Sequence, residues 1–385
     1  MRNVFTSNNY LSGNDVKLLK SGEEYFSALL TLIRNAEHRI HLHVYIFEND
    51  NTGKEVADTL MNAAKRGVKI YLLVDAFGSK DLPKELIQKM IAEGIHFRKY
   101  SPLSTFIVPF RRRMHSKVLI ADDDQAIVGG INIADKYRGT EKELPWLDFA
   151  ILVKGNACTP IAHYCRNIFG RKFFKKGKTY PDPLKDHGNR PISAHMSIND
   201  WLRRKNEIYN GYRSAFNEAH ESITIFASYF FPGSRMRNRL KRASKRGVKI
   251  RLIVPGTSDI GLMKKAINYW YPFLIRNNIR VFEWNESVLH AKIAVVDNKW
   301  ASIGSYNLNH MSHYSSVEMN MEVLDESFGH SVSGYLEPII AEKCTEITNT
   351  VYWKRKNTLD RLNDWLSYNI IRFLMRLMFF LTSTD

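Results

Sequence analysis

His115-Ser-Lys117-Val-Leu-Ile-Ala-Asp122, followed by Gly129-Gly130-Ile-Asn132, occurs twice in this chain. The second copy is His290-Ala-Lys292-Ile-Ala-Val-Val-Asp297, followed by Gly304-Ser305-Tyr-Asn307. In both, one residue separates His from Lys, four separate Lys from Asp, and six precede the small-residue pair. Asn follows two positions after that pair in both. Four polar identities held in register across two segments are not a chance pattern.

Val118 to Ala121 and Ile293 to Val296 are apolar runs of strand type. The polar residues after them, Asp122 to Gln125 and Asp297 to Lys299, read as turns into returning strands. His and Lys lie two apart, so on a strand they project from one face. Each copy thus offers an imidazole beside an ammonium, with an amide brought in after a glycine turn. Imidazole serves as nucleophile or acid, and Lys and Asn hold anionic oxygens. A lone His near a Lys on a strand is usually solvated surface; two matched sets facing each other make a phosphate site flanked by two histidines.

The duplication extends beyond the motif. Lys65-Arg-Gly-Val-Lys-Ile70 recurs verbatim as Lys245-Arg-Gly-Val-Lys-Ile250, 180 residues on, and the two histidines are 175 apart. Ala36-Glu-His-Arg-Ile40 is echoed by Ala219-His-Glu-Ser-Ile223 at an offset of 183. Near-constant offsets predict an α/β protein of two duplicated βαβ domains related by a pseudo-twofold axis, sharing one cleft. The first half reads as helix Glu23–Ala36, strand Arg39–Phe47, helix Lys54–Lys65, strand Val68–Val74, helix Pro83–Glu93 and strand Ile95–Tyr100, which implies a largely parallel sheet. Expected boundaries are 1–180 for the first domain, 181–205 for a breaker-rich linker, 206–350 for the second domain and 351–385 for a tail.

The chain has 385 residues, enough for two full cores, and a formal net charge of +17. Such a field suits an anionic partner, either nucleic acid or an anionic membrane surface. The three cysteines show no metal-ligand spacing and read as incidental thiols of a reduced compartment. No apolar h-region marks residues 1–14, so no signal peptide is expected.

The twin motifs resemble the H-x-K-x4-D signature of the phospholipase D superfamily. Leu18 to Tyr25, Lys65 to Lys69, Phe110 to His115 and Gly129 to Asn132 further resemble bacterial cardiolipin synthases of the short type, without N-terminal membrane spans. That resemblance spans roughly residues 15 to 335. It implies a phosphatidyltransferase working through a phosphohistidine, with phosphatidylglycerol as both donor and acceptor and cardiolipin and glycerol as products. It implies catalytic roles for His115, Lys117, Asp122, His290, Lys292 and Asp297, and phosphate binding by Asn132 and Asn307. The two motif aspartates sit at turns, a position that supports geometry more than phosphate contact. By analogy His115 is the nucleophile. Related enzymes also place an acid that holds the motif His: Glu318 stands 28 residues after His290, and Asp148 stands 33 after His115. Glu143, at 28 from His115, is the rival to Asp148. No metal or other cofactor is expected. An anionic phospholipid membrane is the expected partner and nucleic acid is not; homo-oligomers stay open. The expected location is peripheral, on the cytoplasmic face of a bacterial membrane. Competing readings are a phosphatidylserine synthase, a phospholipase D, a superfamily nuclease, or an inactive membrane scaffold.

Two further segments bear on lipid. Phe106 to Phe110, with Arg111 to Arg113, reads either as a membrane-touching lip or as a buried strand with a basic turn. After Lys354, Leu359, Leu362, Leu366, Phe373, Leu377 and Leu381 recur at helical spacing, with Arg361, Arg372 and Arg376 on one face. Too short and too charged to span a bilayer, this tail suits the plane of an anionic membrane, or else packs on the protein's own core.

Overall fold

The computed structural model describes residues 5, 9–101, 112–170, 191–309, 312 and 316–382. Of the predicted lip, Phe106 to Phe110 with Arg111 to Arg113, all but Arg112 and Arg113 lie outside them, as does the start of the predicted linker, 181–190. The first half contains β1 (Leu11–Lys20), β2 (Arg39–Val44), β3 (Lys69–Asp75), β4 (His96–Tyr100), β5 (Arg113–Met114), β6 (Lys117–Ala121), β7 (Gln125–Gly129) and β8 (Phe149–Gly155). The second contains β9 (Ile192–Asp200), β10 (Lys205–Asn206), β11 (Ser222–Ala227), β12 (Lys249–Pro255), β13 (Ile279–Trp284), β14 (Lys292–Val296), β15 (Trp300–Gly304), β16 (Ser316–Leu324) and β17 (Cys344–Glu346).

Pairing runs β4-β3-β2-β6-β7-β8-β1 in the first half and β13-β12-β11-β14-β15-β16-β9 in the second. The two orders are the same, and β1 pairs with β9 to join them. The expectation of a largely parallel sheet is corrected. Within the two seven-strand runs the parallel pairs are those of β2-β3-β4 and β11-β12-β13, strands linked by helical crossovers; the short β5 also runs parallel to the start of β16. The motif hairpins connect through tight turns, which force antiparallel neighbours. β1 escaped the sequence reading, and β9, in the stretch expected to be linker, is a central strand. Its alternation is blurred because several of its polar residues, Ser197, Asn199 and Asp200, are buried.

The verbatim repeat has a structural cause. Gly67 and Gly247 both take φ near 93°, a left-handed conformation that favours glycine, as each helix ends. Arg66 donates to the carbonyls of Ile33, Arg34 and Ala36, and Arg246 to those of Phe216 and Ala219, capping the preceding helix of each half. The polar run before Lys54 is a helix start: the helix Asn51–Lys65 is capped by Asp50, whose carboxylate accepts from Gly53 N–H.

One apolar core is shared by the halves, with Val118, Ile120, Phe149 and Ile151 in the same cluster as Phe226, Ile293, Val295 and Met319. Each half has a second core beneath its outer helices. The tail forms helices Asn349–Arg355 and Thr358–Thr382. Tyr368 of the last helix stacks on Tyr269 (4.4 Å between centroids) and Phe231 (5.1 Å). Trp270, Phe230 and Phe231 are buried there, so these aromatics belong to the core.

Candidate active site

Each motif begins where the two halves touch. β5 pairs with the start of β16, and the N–H groups of His115 and Ser116 both donate to the Val317 carbonyl, at 2.9 and 3.0 Å. In the other half, His290 N–H donates to the Leu147 carbonyl at 2.8 Å. Val317 directly precedes Glu318, and Leu147 directly precedes Asp148. The backbone therefore delivers each motif histidine to the acid of the opposite half.

Nδ1 of His115 lies 2.9 Å from Oε2 of Glu318, and Nδ1 of His290 lies 2.6 Å from Oδ2 of Asp148. The expected pairing of Asp148 with His115 is overturned, and so is Glu143 as its rival: Glu143 is exposed, while Asp148 is fully buried on His290. Counting residues within one half could not reveal a partner from the other. The small-residue pair has a matching role. A Cβ on Gly130 would lie 2.5 Å from Asp148 Oδ2, so glycine is needed for the acid to enter. In the second copy Ser305 instead donates its hydroxyl to Glu318 Oε2 at 2.5 Å. Sequence reasoning treated Ser305 only as small; its hydroxyl beside an invading acid was the missed signal.

Lys117 Nζ donates to the His115 carbonyl at 2.6 Å and sits over the Tyr45 ring, 5.2 Å from its centroid. Tyr45 also packs edge-on against His115, as Tyr137 does against His290. Lys292 Nζ donates to the His290 carbonyl and lies 2.9 Å from Nδ1 of His290. Burial pushes Lys117 down to about 7, opposed by Glu318 and aided by Lys292. Burial also lowers Lys292, His115 and, most strongly, His290, where Lys292 and Lys117 add to the effect. Asp148 is raised to about 6 by burial, which nearby Lys292 opposes. Burial in this site therefore works against charge on the lysines, the histidines and Asp148 until an anion arrives to offset it.

Asp122 and Asp297 face away from this chemistry. Each carboxylate accepts three backbone N–H groups at 2.8 to 2.9 Å, from Glu37, His38 and Arg39 in one half and His220, Glu221 and Ser222 in the other. Both begin turns in which two consecutive residues have φ between 51° and 59°, the type I′ geometry that matches strand twist. Asn132 is also committed, accepting from Ile46 N–H (3.0 Å) and donating to the Tyr137 hydroxyl (2.8 Å). Asn307 Oδ1 accepts from the Ser228 hydroxyl at 2.8 Å. Both amides brace the site walls. Among the described residues no group of three or more His, Cys, Asp or Glu is placed to hold a metal ion.

A duplicated mixed sheet with two His-Lys pairs at its internal axis defines a phospholipase D-like fold. Its neighbours in three dimensions include phosphatidylserine synthase from Haemophilus influenzae, at a TM-score of 0.73, 15% identity and 96% coverage of both chains. Polyphosphate kinase from Porphyromonas gingivalis aligns at 0.60 and 16% identity, over 94% of this chain and 53% of that one. Residues 29–157 and 212–340 each match the family described as cardiolipin synthase, PLD-like domain. Cardiolipin synthase B of Shigella flexneri is 31% identical over 349 residues, covering 89% of this chain and 84% of that protein. Cardiolipin synthase B of Escherichia coli strain K12 is 30% identical with the same coverage. The chain belongs to the cardiolipin synthase family of phospholipase D-like phosphatidyltransferases.

Proposed function

We propose that this protein joins two phosphatidylglycerol molecules into cardiolipin and glycerol through a phosphatidyl-histidine. The observation that carries the reading is the crossed clamp, in which each motif histidine has Nδ1 engaged by the other half's acid. That leaves Nε2 of both rings for the phosphodiester. Nε2 of His115 attacks phosphorus, the bond to the donor's glycerol oxygen breaks, and His290 gives that oxygen its proton. His290 then takes the proton from a hydroxyl of the second phosphatidylglycerol, whose oxygen attacks phosphorus as the P–N bond breaks. Lys117 and Lys292 offset the charge on the non-bridging oxygens.

The roles of the rings follow from one asymmetry. Nδ1 of His115 meets only Glu318 among the described residues, which fixes its proton there and the lone pair on Nε2. Nδ1 of His290 is also approached by the Lys292 ammonium, which favours the proton on Nε2. Lys292 passes a proton to Nδ1 as Nε2 gives its own to the leaving oxygen, so that the ring stays neutral. The proton returns to Lys292 when Nε2 takes one from the acceptor hydroxyl.

The partner in this reading is a phospholipid surface, met peripherally and from the cytoplasmic side. Leu359, Leu362, Leu366 and Phe373 are exposed on the last helix, while Asp364, Tyr368, Ile371 and Met375 are buried. One face of the tail anchors to the core and the other supplies apolar contact for a membrane, with Arg372 exposed beside it. Among the described residues no helix is long and apolar enough to cross a membrane.

The test is mass spectrometry of phosphatidylglycerol vesicles incubated with the protein, without added metal, beside His115→Ala. Cardiolipin and glycerol formed only by the intact protein are expected. Phosphatidic acid alone would make water the acceptor, and unaltered lipid would refute lipid chemistry here.

A further inference from the structure

The two halves of the cleft are not equal at its rim. Ser228 is fixed to the second motif, with its N–H on the Ala291 carbonyl at 3.0 Å and its hydroxyl on Asn307. The next residue, Tyr229, donates its hydroxyl to Asp259 Oδ2 at 2.6 Å, and Ser258 donates to the other carboxylate oxygen at 3.2 Å. Asp259 is exposed and makes no salt bridge among the described residues. It is close enough to the motif that its charge partly offsets the lowering that burial and Lys292 impose on His290, and that burial imposes on Lys292. Tyr229 in turn senses both Tyr45, which packs on His115, and Tyr137, which packs on His290.

The matched positions of the first half carry no such carboxylate and phenol. At the offsets of 183 and 180 that relate β2 to β11 and β3 to β12, Tyr229 corresponds to Ile46 and Asp259 to Ser79. Ser79 is closed on its own loop, donating to the Tyr45 carbonyl and accepting from Phe47 N–H, both at 3.0 Å. A carboxylate weakens binding of the anionic phosphodiester that the lysines attract. A carboxylate with a phenol beside it is, however, well suited to accept hydrogen bonds from neighbouring hydroxyls and to repel acidic headgroups.

We propose that Asp259, held by Tyr229, recognises the acceptor by accepting hydrogen bonds from the vicinal hydroxyls of an uncharged polyol headgroup. The proposal rests on the phosphatidyl-transfer reading and names what the second substrate must present. A simple alcohol lacks the second hydroxyl and gains nothing from this contact.

The experiment gives the full-length protein phosphatidylglycerol vesicles with 1-butanol as a competing acceptor, and measures cardiolipin and phosphatidylbutanol together. Asp259→Asn is expected to lower the ratio of cardiolipin to phosphatidylbutanol about tenfold, the effect of losing a hydrogen bond to a charged group. Tyr229→Phe, which keeps the ring, is expected to lower it in the same direction by less. A ratio unchanged in Asp259→Asn, whether both products fall or neither does, overturns the proposal. Wild-type protein that forms neither product overturns the transfer reading itself, and the acceptor proposal with it.

Discussion

His115 and Glu318 are 203 residues apart, and their side chains meet at 2.9 Å across the internal axis of the molecule. The reciprocal bond, His290 to Asp148, spans 142 residues in the opposite direction. Neither half contains a complete histidine-acid pair, so the site exists only when both halves are folded and docked. This accounts for the shared core beneath the motifs: the geometry that orients each ring is an interface between repeats.

The crossed clamps predict separable defects. A phosphodiester with a p-nitrophenolate leaving group needs no proton on departure. Asp148→Asn is expected to retain a burst of p-nitrophenolate from attack by His115, with turnover reduced about 100-fold or more. Glu318→Gln is expected to lose the burst as well. Rapid-mixing absorbance measures both; a burst lost in Asp148→Asn but kept in Glu318→Gln would exchange the roles of the histidines.

Lys117, lowered to about 7, is charged below that pH and neutral above it. Since its charge attracts the phosphodiester, kcat/KM is expected to fall along an alkaline limb that begins near neutrality. Lys117→Arg carries a charge that does not titrate in this range. Its residual activity is expected to lack that limb, and a limb left in place would assign it to another group.

Asp122 and Asp297 organise loops. Asp122→Ala leaves three backbone N–H groups without their acceptor and is expected to cost about 2–4 kcal/mol of stability. Denaturant unfolding measures this loss. The folded fraction is expected to keep a KM near that of wild type, unlike Lys117→Ala. A stable Asp122→Ala protein with greatly raised KM would place this carboxylate at the substrate.

Acid is expected to destabilise the fold through β2. His41 and His43 are fully buried on one face of that strand; burial lowers His41 well below its ordinary value, and burial lowers His43 to about 3. The folded state keeps them neutral while the unfolded chain takes up protons near pH 6.5, so stability is full above that pH and declines as pH falls below it toward 3. His43 is expected to contribute about 2 kcal/mol of destabilisation at pH 5, with His41 acting in the same direction. His43→Leu should flatten the Tm profile between pH 7 and 5; an unchanged slope would exclude this histidine.

The last helix calls for substitution rather than deletion. Removing it also removes Tyr368 from its stack on Tyr269 and Phe231, which disturbs the second core. Leu362→Glu with Phe373→Glu alters only exposed positions. The double variant is expected to keep its Tm and to sediment with phosphatidylglycerol vesicles at least about fivefold less, in keeping with the loss of two buried apolar side chains. Undiminished sedimentation would leave the exposed face without a role in membrane contact.

The sequence by itself determined the duplication, the motif histidines and lysines, and the hairpins that present them. These are short-range: a period of two, a turn signal and a repeated offset are all written along the chain. Asp122 and Asp297 were legible as turn residues for the same reason. Only the tertiary structure decided which acid serves which histidine, because a pseudo-twofold axis exchanges partners in space while preserving every interval in sequence. It also decided that the sheet is mostly antiparallel and that β9 crosses its middle. Of the two readings of the tail, packing on the protein's own core holds for one face of the helix, and membrane contact by the exposed face stays a proposal. Burial of one side against Tyr269 and Phe231 depends on where the second half's surface lies, which helical periodicity alone does not encode.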